Sequence, residues 1–247
     1  MEYLDGCSLK TFMQVKRKKG SLVGTDTALQ ITQAVLSALK ATHAVKVIHR
    51  DIKPGNIFIC KDGTIKLIDF GAARFSDNET EKTRTIIITP GYAPAEQYQT
   101  KSKQGAYTDI YAVAAVLYEM LTGIKPIESI NRKVEDTVVE PRLVNPEIPQ
   151  YISSAVMRAM AIQPEIRFQN VDQFSKALRS EKEVRDAKKE IRYRKRRRAL
   201  RIAMLALFVA AGAALCVFQY QNVRREAILD PAVLTVWVPY AENETQE

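Results

Sequence analysis

His49-Arg50-Asp51-Ile52-Lys53-Pro54-Gly55-Asn56, followed by Asp69-Phe70-Gly71, is the stretch from which the rest of the chain can be read. Between the two segments lie the apolar run Ile57-Phe58-Ile59-Cys60, the polar Lys61-Asp62-Gly63-Thr64 and a second run, Ile65-Lys66-Leu67-Ile68. Two short apolar runs joined through Asp-Gly predict a β-hairpin. Such a hairpin holds two loops side by side at one end. Asp51, Lys53 and Asn56 then sit on the loop entering the first strand and Asp69 on the loop leaving the second, so their side chains can converge on one point.

Two carboxylates, a carboxamide and an ammonium gathered at one point suit phosphoryl transfer. That reaction needs hard oxygen ligands for Mg²⁺, a carboxylate to take the proton of the attacking hydroxyl and a positive charge beside the moving phosphoryl group. Asn56 and Asp69 can supply the first, Asp51 the second and Lys53 the third. An exposed polar turn would also accommodate these residues. However, six fixed positions in H-R-D-x-K-P-x-N make a chance match on the order of one in 100,000 in a chain of this size.

These residues resemble the catalytic loop and metal-binding loop of eukaryotic-type protein kinases. Lys53, two residues after Asp51, resembles the serine/threonine branch of that family. The similarity runs from Met1 to about Ser180, with the motifs in family order. It implies ATP and Mg²⁺ as cofactors, proteins bearing Ser or Thr as substrates, and Phe58 as the floor of the adenine site. It also implies that Met1-Glu2-Tyr3-Leu4-Asp5-Gly6 is the hinge between two lobes, with Met1 as gatekeeper and backbone groups of Glu2 and Leu4 facing the adenine edge. Elements that the family places ahead of the hinge, a glycine-rich loop and a lysine paired with a helix-borne glutamate, do not occur in this sequence. The chain by itself is therefore expected to be weak or inactive.

The same resemblance assigns further roles. The His49 ring is expected to pack against Phe70, and Arg50 to pair with a phosphate in the hydroxyl-rich segment from Ala72 to Ile88, which holds Ser76, Thr80, Thr83 and Thr85. Thr89-Pro90-Gly91-Tyr92-Ala93-Pro94-Ala95-Glu96 is similar to the segment that receives the substrate, with Thr89 bonding to Lys53 and Asp51. The family's Ala-Pro-Glu appears altered, as Pro94-Ala95-Glu96. Arg167 is the expected partner of Glu96, because a lone buried glutamate needs a cation. Asp109 is expected to accept hydrogen bonds from the catalytic-loop backbone.

Helices are legible around these motifs. Ser8 to Met13 starts a short helix ending in the basic cluster Lys16 to Lys19 and Gly20. Thr27-Ala28-Leu29-Gln30 fits a capping box ahead of Ile31, Val35 and Leu39, which recur every fourth residue. His43 reads as a helix-end residue. Tyr107-Thr108-Asp109-Ile110-Tyr111 begins a helix whose Ala112 to Leu121 part is apolar on nearly every side, as a core helix is, and Gly123 suits its end. Residues 127–149 are expected to be loop, and Ile152 to Ala161 and Val171 to Leu178 the last two helices of the lobe.

Charge is concentrated in one place. The net charge is +9. Arg185 to Arg201 holds ten basic residues against Asp186 and Glu190, a net of +8 that leaves +1 for everything else. An apolar stretch, Ile202 to Phe218, follows immediately, at the short end of the range for a spanning helix, with Tyr220 placed for the interface. That context argues against a nucleic-acid arm and for a juxtamembrane block attracting anionic lipids through 185–201. Basic residues before the span put the N-terminal side in the cytoplasm and the C-terminus outside. Cys7, Cys60 and Cys216, odd in number and widely spaced, read as reduced thiols, and two histidines make a zinc site unattractive.

The expected fold is thus mainly α with small β-hairpins: a protein-kinase large lobe over 1–180, a basic juxtamembrane segment over 181–201, a transmembrane helix over 202–218 and a short extracytoplasmic tail over 219–247. The arrangement resembles bacterial receptor-like serine/threonine kinases. A membrane-held docking lobe without catalysis is the alternative, and the full set of Asp51, Lys53, Asn56 and Asp69 argues against it.

Overall fold

A computed structural model describes residues 3–70, 74–75, 88–99, 102–180, 184 and 187–229. The chain divides into two compact units, Met1–Ile191 and Arg192–Glu247.

The first unit is organised by two buried helices. α3 (Ala106–Thr122) buries almost its whole circumference, with Ile110, Tyr111, Leu117 and Leu121 all within 1% of complete burial. Each such side chain contributes about 1.5–3 kcal/mol by leaving water. The helix starts one residue ahead of the expected Tyr107, where Gly105 and Thr108 close the first turn by reciprocal bonds of 2.8 and 3.2 Å. It ends at Gly123, whose φ of +71° lets its N–H reach Glu119 O at 2.8 Å. α2 (Thr25–Ala44) packs on α3 with Ile31, Val35, Leu36 and Leu39 inward. It begins two residues before Thr27, after Gly24 and without a side-chain cap, so the capping box expected at Thr27–Gln30 does not form. The Ala28 N–H bond to Gly24 O, 2.9 Å, closes that turn instead.

The short helix α1 (Leu9–Lys18) starts where Ser8 accepts the Thr11 N–H at 3.2 Å and buries Leu9 and Met13. Residues 127–149 are not all loop: α4 (Asn131–Val134) and α5 (Pro141–Val144) are single turns within them. α6 (Gln150–Ala159) and α7 (Val171–Arg179) complete the helical layer, α7 capped by Asn170 through the Gln173 N–H at 2.9 Å.

The hairpin is part of a three-stranded antiparallel sheet in the order β1 (Gly6–Ser8), β3 (Ile57–Cys60), β4 (Ile65–Leu67). Its turn is held by Thr64 N–H to Asp62 Oδ1, 2.8 Å, with Gly63 at φ +85°. That hydrogen bond also keeps the Asp62 carboxyl below the usual carboxylate range. The first strand was not foreseen. Glycine at position 6 permits it, since a Cβ there would meet Ile59 O at 2.1 Å on the partner strand. A second ladder pairs β2 (Val47–Ile48) with β5 (Arg74–Phe75).

α8 (Ala187–Leu229) carries the second unit. Over Glu190–Arg225 it is long and apolar enough to cross a membrane, and none of its most apolar window is buried. Leu205, Phe208 and Val209 are each more than 60% exposed.

Candidate active site

The loop between β2 and β3 carries His49 to Asn56, and one buried carboxylate fixes its shape. Asp109, in the first turn of α3 and fully buried, accepts the His49 N–H at Oδ2 and the Arg50 N–H at Oδ1, both at 2.9 Å. The His43 Nε2, from the last turn of α2, reaches the same Oδ2 at 2.8 Å. Arg50 adopts φ +71°, a left-handed conformation that costs a residue with a side chain about 1–3 kcal/mol. The loop is held there at both ends of one residue, because the Arg50 carbonyl accepts Gln97 Nε2 at 2.6 Å.

His49 is a buried structural residue. Its ring lies 4.6 Å from that of Phe70, tilted by 55°. Nδ1 accepts the Asp51 N–H at 3.3 Å, so Nε2 carries the proton, directed at Ile68 O 3.3 Å away.

Asp51 is the focus of the site. Oδ2 accepts Lys53 Nζ at 2.6 Å and Asn56 Nδ2 at 3.0 Å, while Oδ1 accepts the Thr89 hydroxyl at 2.7 Å. The carboxylate is nearly buried, whereas the Lys53 side chain keeps 30% of its surface. Asn56 also donates to Asp51 O at 2.8 Å, so its amide nitrogen is spent and Oδ1 is the end able to meet a cation. Asp69 sits beside it through the backbone: the Ile68 N–H donates to Asn56 O at 2.9 Å. Asp69 is exposed, at φ +64°. A carboxylate and a carboxamide oxygen are hard donors of the kind Mg²⁺ takes. Phe58, paired with Ser8, stands on the face of the sheet opposite the buried Ile57, and Leu4 is half-buried just ahead of β1.

The segment after Thr89 is anchored from below. Glu96 and Arg167 form a two-pronged ion pair of 2.6 and 3.0 Å, with the arginine side chain entirely buried. The guanidinium further donates to Ala161 O, Ile162 O and Tyr107 O at 2.7, 3.0 and 3.3 Å, and lies over the Tyr111 ring. Tyr92 and Glu119 make a short hydrogen bond. Burial and that carboxylate push the phenol far above its ordinary range.

Met1, Glu2, Ser76, Thr80, Thr83 and Thr85 lie outside the described residues. Sequence reasoning missed Gln97, which holds the Arg50 carbonyl, and the contact of His43 with Asp109. It also missed Arg132, buried in α4 and bonded to Asp136, Tyr111 and Met160 O. None of the three stands in a short motif; His43 carried the only usable signal, as the polar residue ending an otherwise apolar helix face.

The sequence profile described as "Protein kinase domain" matches residues 1–198. A probable serine/threonine-protein kinase of Clostridium perfringens is 32% identical over 180 residues, covering 68% of this chain and 25% of the relative. The probable serine/threonine-protein kinase PknB of Lactococcus lactis is 30% identical over 180 residues, 70% and 28% of the two chains. The tyrosine-protein kinase MasK of Myxococcus xanthus is 28% identical over 193 residues, 72% and 30%. The chain thus spans between 25% and 30% of the length of these relatives.

Proposed function

The chain belongs to the protein kinase family, and from that premise we propose that it transfers the γ-phosphoryl group of ATP to Ser or Thr hydroxyls of proteins while held at a membrane. The observation that carries the reading is the Asp51 carboxylate. One oxygen is committed to Lys53 and Asn56 and the other to a hydroxyl, that of Thr89.

Asp51 orients the incoming hydroxyl and takes its proton. Lys53, drawn to the same carboxylate, offsets charge on the phosphoryl group. Asn56 Oδ1 and Asp69 would hold Mg²⁺, with Phe58 beneath the adenine and backbone groups of Glu2 and Leu4 along its edge. Bound ATP and Mg²⁺ supply the transferable group and neutralise its charge. Thr89, fixed against Asp51, places a substrate hydroxyl at the base, and a phosphorylated residue in the segment after Gly71 would pair with Arg50. Within these 247 residues there is no G-x-G-x-x-G. A nucleotide held by this chain alone meets protein on one side, so turnover is slow.

The helix over 202–218 spans the bilayer, with the kinase-like part in the cytoplasm, the C-terminus outside and 185–201 against anionic headgroups. The test is ³²P incorporation into a Ser/Thr protein substrate by the purified chain in lipid nanodiscs, against Asp51→Asn. Incorporation above that control is expected; none above it overturns the enzyme reading.

A further inference from the structure

Among the described residues, the outer side of the turn after Thr89 carries a lysine, and the glutamate beside it is engaged. The Lys125 side chain lies flat on the turn that follows Thr89: a Cβ added at Gly91 would meet Lys125 Cε at 2.7 Å, and Nζ sits 5.2 Å from the centre of the Tyr92 ring. Only glycine, at φ +85°, leaves room for this. Tyr92 is tied to Thr89 by its N–H, 3.1 Å from Thr89 O, so the ammonium is fixed relative to the hydroxyl that contacts Asp51. From the other side, Arg17 donates to Gly123 O at 2.8 Å and keeps 58% of its side chain exposed. It belongs to the basic end of α1 with Lys16, Lys18 and Lys19. Glu119 lies between these groups, 13% exposed, bonded to the Tyr92 hydroxyl and 3.9 Å from Arg17.

We propose that Lys125 selects substrates: the segment phosphorylated by this chain carries Asp or Glu beside its Ser or Thr. This rests on the kinase reading but concerns a different property, which peptide binds. A peptide whose hydroxyl reaches Asp51 has to cross the Thr89–Tyr92 turn, and so passes the Lys125 ammonium. Opposite charge there gains affinity; like charge loses it. The Glu119 carboxylate is shared by the Tyr92 phenol and the Arg17 guanidinium, so Glu119 and Arg17 offset each other and the charge left for a peptide is that of Lys125.

The experiment measures binding, which needs no turnover. Two fluorescent peptides identical except for Asp/Glu or Lys/Arg around one serine are titrated by anisotropy into the full 247-residue chain in detergent micelles. The acidic peptide is expected to bind about three- to tenfold tighter at low ionic strength, with the preference shrinking as salt rises. Lys125→Glu should reverse the preference, and Lys125→Gln should largely remove it. Both are surface changes, checked for folding by circular dichroism. Equal binding of the two peptides overturns the proposal. So does a preference that persists in Lys125→Glu, which would assign it to the basic residues 185–201. A preference that disappears in Lys125→Glu, in a chain that incorporates no phosphate above Asp51→Asn, would uphold the surface and sink the enzyme reading alone.

Discussion

Replacing Arg167 by Leu should unfold the first unit more readily than any single surface change. The guanidinium makes two bonds to Glu96 and three to the carbonyls of Ala161, Ile162 and Tyr107, all at 3.3 Å or less. Leucine fills part of the volume but leaves a carboxylate that is 5% exposed with, among the described residues, the Thr108 hydroxyl 3.2 Å away as its remaining partner. Removing one member of a buried pair costs about 3–5 kcal/mol, because the other charge stays buried. In a domain of this size each kcal/mol moves the midpoint by about 2–4 °C, so thermal unfolding should fall by roughly 6–20 °C. A double-mutant cycle separates the pair from mere packing. Glu96→Gln removes the stranded charge, so the double variant should recover stability relative to Arg167→Leu, and the coupling should be about 1 kcal/mol or more. Additive losses, or a cost for Arg167→Leu below about 1 kcal/mol in urea unfolding, would refute the reasoning that a desolvated pair holds the Thr89 segment down.

Two further outcomes follow from the catalytic loop. Asp109→Ala leaves the buried N–H groups of His49 and Arg50 without an acceptor, at about 1–3 kcal/mol each, and urea unfolding should record the loss together with lowered phosphate incorporation. Arg50→Gly removes the left-handed penalty and should leave stability unchanged or raise it by up to about 1 kcal/mol in the same titration, while lowering incorporation if the arginine side chain pairs with a phosphate.

The difference between what the sequence disclosed and what it hid is one of distance along the chain. Asp51, Lys53 and Asn56 lie within six residues, and the hairpin that sets Asp69 beside them is closed by the short connection Lys61 to Thr64, so residue order and strand periodicity suffice to bring them together. Gly123 and Ser8 were legible for the same reason, since a helix end is settled by a residue next to it. The first turn of α2 shows the limit even there: Thr27 has the right side chain, but the helix already begins at Thr25, where the Ala28 N–H closes the first turn on Gly24 O. Glu96 and Arg167 are 71 residues apart and were joined by family likeness rather than by pattern.

Gln97 and Arg132 had no pattern to betray them and His43 only its place at the end of a helix face, because each bonds a group that tertiary packing brings near. Gln97 bonds a carbonyl 47 residues away, and His43 a carboxylate 66 away. Gln97 and His43 have one function in common with Asp109. The catalytic loop contains a strained arginine, and strain of that kind persists only where several independent bonds fix the same atoms. Asp109 grips the N–H of Arg50, Gln97 grips its carbonyl, and His43 braces Asp109 from α2. In the proposed reaction the motif supplies the chemistry, while residues outside it hold the motif's backbone in a left-handed conformation at Arg50. It follows that changes at Gln97 or His43, far from any reacting atom, act on the orientation of Asp51 through the loop.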